Sequence, residues 1–572
     1  MHDRQDDRGT GSATAARPIL PVIATLVAVV VLLASQLPLA WAVRAQHKRY
    51  YPDLALTGTL PLYLDDAAAD WSFMQQAKDG RFFMSDLYTV DAHPRNYVNL
   101  LLWSLGTLAR LFRADVVEVY SLAKVAFGAI LLAVLYALAR RLFDKSGERF
   151  ACFVMLIFGG GWEGPIAFLQ RHADVNWTAH SPGWWMPEIS TFFSMMLFPH
   201  MTAGFAAMIA TLLLMLAAWQ PGRGMRRRTA AAAGAGAVLF VLTLFHPFDT
   251  VSVLGTIWTV PLFLGLAERR WPRDEAFQSL VASLVAAPAV AYDLYLVSTN
   301  PAIRAWHLQG VMTTPEPGRL VMCFGVNALL AVLVLPRFRT LGRPQLVMLS
   351  WLASGLVLIH LPIGFQRRMM GGLQFPLAAL ACTTLAVVLA PLVARLTRSL
   401  RRRPARADGR GMRALGLVAL IAPLNLITPC YVHQHQWREL RALSYPSWLR
   451  AEEFRALQAL RTIAPRGARA IACYEIGTFI PPFSGIATYV GHNALTGHAA
   501  ERRADVLRFY AAGPDDDAWR RELLDRWDID FVFHTPRERA LGGFDPSTRP
   551  WLEEVFVTGD GPARRAAVYR FR

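Results

Sequence analysis

Long apolar runs alternate with short, Arg-rich polar segments along most of this 572-residue chain. The first run opens at Pro18 and continues to Val43, after a polar stretch at residues 1–17. It is longer than a signal-peptide core and has no clear small-residue cleavage site, so it reads as a retained span. Ten further runs follow, near 119–139, 150–168, 200–219, 230–250, 251–267, 276–297, 320–336, 346–362, 372–394 and 414–429. The pattern predicts a mainly α protein, a polytopic transmembrane bundle of about 11 spans. Two polar-rich portions, 44–118 and 430–572, stand apart from the runs. In the first, Asp65 to Asp79 has the spacing of an amphipathic helix. Residues 97–112 (YVNLLLWSLGTLARLF) are apolar but short and contain Arg110, so they are expected to lie along the bilayer surface. In the second, ARAIACYEI, ATYVGH, DIDFVFHT, EEVFVTG and AAVYRF read as short strands. Residues 499–512 and 516–527 read as helices, giving a small C-terminal α/β domain.

Composition agrees with that pattern. Charged residues are 18% of the chain and hydrophobic ones 54%, against about 25% charged in soluble proteins. This excludes a disordered chain, a collagen-like chain and an ordinary soluble enzyme. The net charge of +17 comes from Arg, which outnumbers Lys 55 to 4. With abundant Ala, that bias indicates a GC-rich bacterial genome rather than a nucleic-acid partner. The basic residues also set a topology. Loops on one side hold 25 Lys and Arg, counting 1–17, 140–149, 221–229, 268–275, 337–343 and 395–413. The short loops opposite, 169–189, 246–250, 298–319 and 361–371, hold 5. The positive-inside rule places the N-terminal tail 1–17 in the cytoplasm. The membrane domain then spans 18–429, with its first outer loop at 44–118, and the domain 430–572 lies outside. The five Cys show no CxxC spacing, so a thiolate metal site is not expected. Cys430 and Cys473 would share the oxidising side, which leaves a disulfide between them open.

Ionisable side chains inside spans are costly, so their placement is informative. Lys124, Glu163, His200, His246, Asp249, Asp293 and His360 all fall at span ends assigned to the outer side. A polar site at that face is expected, rather than the midplane site of an ion-coupled transporter. Asp65-Asp66 opens a helical segment. Either carboxylate could accept a proton from a hydroxyl nucleophile or hold a divalent cation such as Mg or Mn, and spacing alone favours Asp65 as an N-cap. SPGWWMPE and FPH (181–200) offer Glu188 and His200. Trp184 and Trp185 suit a sugar ring or an interfacial belt. HPFD (246–249) sets His246 and Asp249 three residues apart at a turn that Pro247 enforces. FQRR (365–368) puts Arg367 and Arg368 in a short outer loop against the charge rule, so an anionic group such as a lipid phosphate is expected opposite them. Arg304 and Trp306 of NPAIRAW (300–306) join the same side. These outer-side groups are expected to converge on one cavity.

The order of parts resembles the GT-C glycosyltransferases: one span, a large outer loop opening with an acidic pair, many further spans and an outer C-terminal domain. It is most similar to the branch with protein mannosyltransferases and aminoarabinose lipid A transferases. The strings DDAAADWSFMQQAKDGRFFMSDLYTVDAHP (65–94), GGGW (159–162), HPFD, NPAIRAW, FQRR and YVGHNALTG (489–497) carry the resemblance over nearly the whole chain. Asp66 stands where the mannosyltransferase motif commonly has Glu. A WWDxG-type signature is absent, which disfavours en bloc oligosaccharide transfer to Asn. The resemblance implies an inverting transfer, at the outer face of a bacterial inner membrane, from a polyprenyl-phosphate sugar to a hydroxyl of a glycan, lipid or protein acceptor. Asp65 is the first choice as base and Asp66 the second, with His246 and Asp249 nearby. Arg367 and Arg368 face the phosphate, and Glu188, His200, Arg304 and Trp306 contact substrate. A transporter or scaffold for lipid-linked glycans, or an envelope polysaccharide polymerase or ligase, remain as alternatives. Membrane lipids are expected partners and nucleic acid is not.

Overall fold

Each predicted apolar run falls on helix in the computed structural model, which describes residues 19–58, 60–170, 182–398, 409–511, 513, 516–559, 561 and 565–572. The tail 1–17, residues 171–181 of the 169–189 loop and residues 399–408 of the 395–413 loop lie outside the described residues. Helix α1 (Ile19–His47) leads through β1 (Leu54–Leu56) to α2 (Leu64–Lys78) and α3 (Leu100–Leu111). Then come α4 (Val116–Leu142), α5 (Ser146–Phe158), α6 (Glu163–Gln170) and α7 (Thr191–Leu197). The bundle continues with α8 (Pro199–Ala218), α9 (Met225–Thr243), α10 (Pro247–Glu268), α11 (Arg273–Thr299) and the short α12 (Pro301–Gln309). It closes with α13 (Pro317–Val332), α14 (Arg343–Leu358), α15 (Gln374–Thr384), α16 (Ala390–Arg398) and α17 (Gly409–Arg441).

Among the described residues, seven helical stretches are long and apolar enough to cross a membrane: α1, α4, α8, α10, α11, α17 and Gln366–Leu396, which contains α15 and most of α16. They mark a multi-pass membrane protein. The other four of the 11 expected runs also fold as helices, shorter or less apolar than these seven. α13 is interrupted at Gly325 (φ 54°, ψ −134°). α5 stops at GGGW, where three backbones meet. A Cβ on Gly161 would lie 2.1 Å from the Met322 carbonyl oxygen, and one on Gly160 would lie 2.6 Å from that of Asn425. Neither carbonyl can retreat, so Gly161→Ala is expected to cost at least the ~1–3 kcal/mol of core overpacking. The measurement is loss of monodisperse protein on mild heating in detergent.

α2 is helical as predicted, but it is enclosed rather than amphipathic. Trp71, Met74 and Ala68 are buried on different faces, because the C-terminal part packs over it. α3 buries Leu102, Leu105 and Ala109 and exposes Leu108 and Leu111. Its 12 residues rise only about 18 Å, which suits a helix lying along an interface.

Past α17, β2 (Trp448–Arg450) pairs antiparallel with β1, and α18 (Ala451–Ile463) follows. β3 (Arg469–Ile471), α19 (Tyr474–Gly477), α20 (Ile480–Ser484), β4 (Ala487–Thr488), α21 (Ala499–Tyr510) and α22 (Asp517–Arg526) come next. β5 (Phe531–His534), α23 (Pro536–Leu541), β6 (Leu552–Thr558) and β7 (Ala566–Phe571) complete a sheet of order β4-β3-β5-β7-β6. Every segment read as a strand contains one. The alternation sends Ala470, Phe531, Phe533 and Val568 to one core and Ile471, Val532, Ala567 and Tyr569 to another. The first of these cores also holds Leu64, Ala67 and Trp71 of α2, which joins the sheet to the membrane unit.

The bundle has two chemically different ends. At one, Arg228 pairs with Asp274 (2.8 Å), and Arg270 and Arg343 both contact Glu268 and Glu275. The opposite ends of α9, α10 and α11 carry Thr243, His246 and Asp293, which with His200 of α8 surround a cavity.

Candidate active site

The cavity, about 170 Å³, is walled by the first turns of α2, α8 and α10, the last turns of α9 and α11, α12, the 366–370 turn and residues 492–495. A water needs about 10–15 Å³ of such space, so it has room for a small polar group and its solvent.

α2 starts unusually. Its N-cap is Tyr63 in the left-handed region (φ 61°), not Asp65, and no side chain caps it. Asp65 and Asp66 both fall in the first turn, where the helix dipole favours carboxylates. A 100° turn between successive residues separates their directions. Asp65 points away from the cavity and accepts hydrogen bonds from the Tyr474 hydroxyl and, at 3.5 Å, from Asn493 Nδ2. Burial raises its pKa, and the Tyr474 bond only partly offsets that. Asp66 faces the cavity, with Oδ1 3.7 Å from His492 Nε2. About half of the Asp66 side chain is accessible, but that surface opens onto the cavity, with protein around it. Enclosure works against its charge. His492, Arg368 and His200 outweigh it and hold the carboxyl below its ordinary value.

One turn further on, Asp70 also faces the cavity. It accepts from Tyr120 Oη and contacts His200 Nδ1, both at 2.9 Å. His200 stacks on His246 with ring centroids 5.7 Å apart. His246 N-caps α10 without a side-chain cap bond. Its Nδ1 lies 3.0 Å from Asp249 Oδ2, close enough for an ion pair but not aligned as a hydrogen bond. Asp249 sits behind His246, 1% exposed. It is wedged where a Cβ on Gly204 would fall 2.5 Å from its Oδ2.

Arg367 lies over the Trp185 ring at 4.8 Å and 3.7 Å from Glu188 Oε1. Arg368 lies over Phe248 at 4.8 Å. All of Glu188, Arg367 and Arg368 line the cavity, as do His200, His246 and Trp306. Tyr63 joins them and donates its hydroxyl to the Trp185 carbonyl. Trp184 packs instead against Tyr431 of α17. Arg304 does not reach the cavity; its guanidinium is bound to the carbonyls of Val297 (3.2 Å) and Ser298 at the end of α11. Of the other flagged groups, Asp293 lines the cavity, Lys124 and Glu163 are buried elsewhere, and His360 is exposed.

Sequence reasoning singled out neither Asp70, Tyr63, His307 nor His492, all of which line the cavity. Asp70 carried a signal, since i and i+4 share a helix face with Asp66. Beneath His492, Asp86 is 4% exposed; its Oδ1 accepts the Tyr88 N–H at 2.8 Å and its Oδ2 has no partner. Burial pushes its pKa up to about 6, with Asp91 adding to the rise and His93 and His492 opposing it. The folded carboxyl therefore binds its proton more tightly than the unfolded chain does. Stability must fall as pH rises from about 4 to about 6. Asp86→Asn keeps the acceptor for Tyr88, so it is expected to raise stability at pH 7.5 by up to about 3 kcal/mol. The gain should vanish below pH about 4, and thermal unfolding at the two pH values measures it.

No three His, Cys, Asp or Glu side chains converge as a metal-holding group among the described residues. Asp66 and Asp70 face the cavity one turn apart, and Asp70 is engaged by Tyr120 and His200. All five cysteines are free thiols, so Cys430 and Cys473 are not joined.

The fold that carries this cavity is shared with solved membrane-protein structures of low sequence identity. Two solved structures document it. ArnT from Cupriavidus metallidurans bound to undecaprenyl phosphate is 13% identical, with TM-score 0.54, covering 97% of this chain and 98% of that one. The Archaeoglobus fulgidus oligosaccharyltransferase tethered to an acceptor peptide containing the NVT sequon is also 13% identical, with TM-score 0.54, covering 90% and 69%. No protein-family model and no curated protein sequence matches the chain.

Proposed function

We propose that the chain transfers a sugar from a polyprenyl-phosphate donor to an acceptor hydroxyl at the outer face of a bacterial inner membrane. The observation that carries this reading is one cavity, at one end of a GT-C-fold bundle, faced by a charged carboxylate, Asp66, and two guanidinium groups, Arg367 and Arg368. The Arg-rich helix ends lie opposite, which with the positive-inside rule supports reading the cavity end and residues 430–572 as the outer side.

In this mechanism Asp66, rather than Asp65, takes the acceptor's hydroxyl proton, because Asp66 is the member of the pair that faces the cavity. The acceptor oxygen attacks the anomeric carbon from the side opposite the phosphate, and the configuration inverts. The carbon–oxygen bond to phosphate breaks, and the phosphate leaves with the electron pair. Arg367 and Arg368 balance its charge, held in place by Trp185 and Phe248. His200 and His246 form the wall beside Asp70, and Trp306 offers a ring face to the sugar. No step requires a metal.

The test is transfer by the purified protein from a defined polyprenyl-phosphate monosaccharide to a hydroxyl acceptor, followed by release of polyprenyl phosphate. Donor binding with no release, across monosaccharides and acceptors, would instead support the scaffold reading.

A further inference from the structure

His492 comes from the C-terminal part of the chain, yet its ring meets the first turn of α2. It sits in a tightly anchored turn. Its backbone N–H donates to Thr496 Oγ1 (3.1 Å), and that hydroxyl donates to the Tyr88 carbonyl (2.9 Å). Its Nδ1 accepts the backbone N–H groups of Ala494 (3.0 Å) and Leu495 (3.1 Å). A ring nitrogen that accepts two N–H groups carries no proton, so the ring hydrogen is on Nε2. That Nε2–H is buried without a hydrogen-bond partner in a residue 4% exposed, and it faces Asp66 Oδ1 at 3.7 Å. A buried donor without an acceptor is costly. A side-chain rotation of Asp66 that closes the gap by less than about 1 Å brings the pair to hydrogen-bond distance.

We propose that His492 is a positioning residue for Asp66: its neutral ring, locked in one tautomer by the 494–495 backbone, donates Nε2–H to the carboxylate and keeps it charged and aimed into the cavity. The inference rests on the reading of Asp66 as the base. Other charged or titratable groups face the same carboxylate: Asp65 on its own helix, Tyr63 before it, His200 from α8 and Arg368 from the 366–370 turn. Around His492 itself stand the Tyr88 ring, 5.4 Å away, and the Asp86 carboxyl. His492 is the only one of these whose second ring nitrogen is fixed by the backbone.

The two nitrogens do different work, so two substitutions separate them. In His492→Asn, the amide oxygen lies near the Nδ1 position and retains the turn, but nothing reaches Asp66. In His492→Gln, the amide nitrogen lies near the Nε2 position and reaches Asp66, while the turn loses its acceptor. His492→Asn is expected to keep wild-type thermal stability and donor KM, to lose about tenfold in kcat, and to move the acid limb of the kcat–pH profile upward by about one unit. The direction follows because a base that loses its donor binds its proton more tightly. His492→Gln is expected to be less stable yet keep the wild-type profile. In an Asp66→Asn background, His492→Asn should cause no further loss. A wild-type pH profile in His492→Asn overturns the inference, and so does the same shift in His492→Gln.

A readout without turnover distinguishes this inference from the proposed function. Long-range ¹⁵N–¹H correlation of histidine-labelled full-length protein at pH 7.5 should show an Nε2–H ring that is absent in His492→Gln and shifted in Asp66→Asn. A resonance indifferent to Asp66→Asn defeats the contact even where transfer is found. A shifted resonance without any transfer retains the contact and defeats the function proposed for it.

Discussion

Replacing Asp66 by Asn is expected to lower transfer by about 10²–10⁴-fold, the usual cost of losing a general base, while expression and donor binding stay near wild type. The amide preserves the shape of the side chain and its place on α2, and it loses the proton acceptor. Asp65→Asn should be much milder in turnover. Asp65 is turned toward Tyr474 and Asn493, so its amide would weaken the link between α2 and the C-terminal domain and show mainly as lowered thermal stability. The comparison is a pair of kcat values and a pair of melting temperatures. Equal and complete loss of transfer in both variants would show that the acidic pair acts as a unit. Full activity in Asp66→Asn would move the base to another group on the cavity wall, with Asp70, Glu188 and His246 the first to test.

Arg368→Ala is expected to raise the donor KM and to lower kcat/KM by roughly 10–100-fold, from the ~1.5–3 kcal/mol of a hydrogen bond to a charged group. A phosphate carries its charge both in the bound donor and in the transition state, so binding should suffer as well as rate. Arg367→Ala should have the same sign and a smaller size. Arg367 is already close to Glu188, whereas Arg368 stacks on Phe248 and forms no ion pair within 4 Å among the described residues. Arg368→Lys should recover little, because an ammonium group cannot hold the same stacked, forked contact. Measuring donor binding and turnover separately in each variant checks the assignment. A loss confined to kcat would place the guanidinium groups elsewhere than on the donor phosphate.

Much of the architecture was legible because its determinants are local. The strand in DIDFVFHT was visible in its alternation, which the structure uses to feed two cores. The apolar runs were equally plain, but the points where they break were not. The breaks in α5 and α13 come from contacts between Gly160, Gly161 and the backbones of Met322 and Asn425, which no local pattern encodes. The acidic pair was found, but not which carboxylate faces the cavity. That depends on where α2 begins, and α2 begins at a left-handed Tyr63 rather than at a capping Asp. HPFD marked a true helix start with His246 on the cavity and Asp249 behind it, a division set by packing against Gly204. Arg304 had the right side and charge, but the carbonyls ending α11 take its guanidinium. His492 lay in a segment flagged only by resemblance, since its meeting with Asp66 is made by the whole fold.

The loop after α2 is woven into the C-terminal domain. Tyr88 Oη donates to the Thr478 carbonyl, Thr488 N–H to the Leu87 carbonyl, Thr496 to Tyr88, and Arg502 pairs with Asp91 at 2.7 Å. Partners in these contacts stand 390 to 411 residues apart. At about 5–20 residues per second, a ribosome needs roughly 20–80 s to supply the second half of each pair. Throughout that interval the newly made first loop exposes carbonyls and apolar surface whose only native cover has not been synthesised. The cavity therefore matures last, after every membrane helix has been inserted, and the young protein passes through a long stage in which a chaperone at the membrane surface would have most to bind.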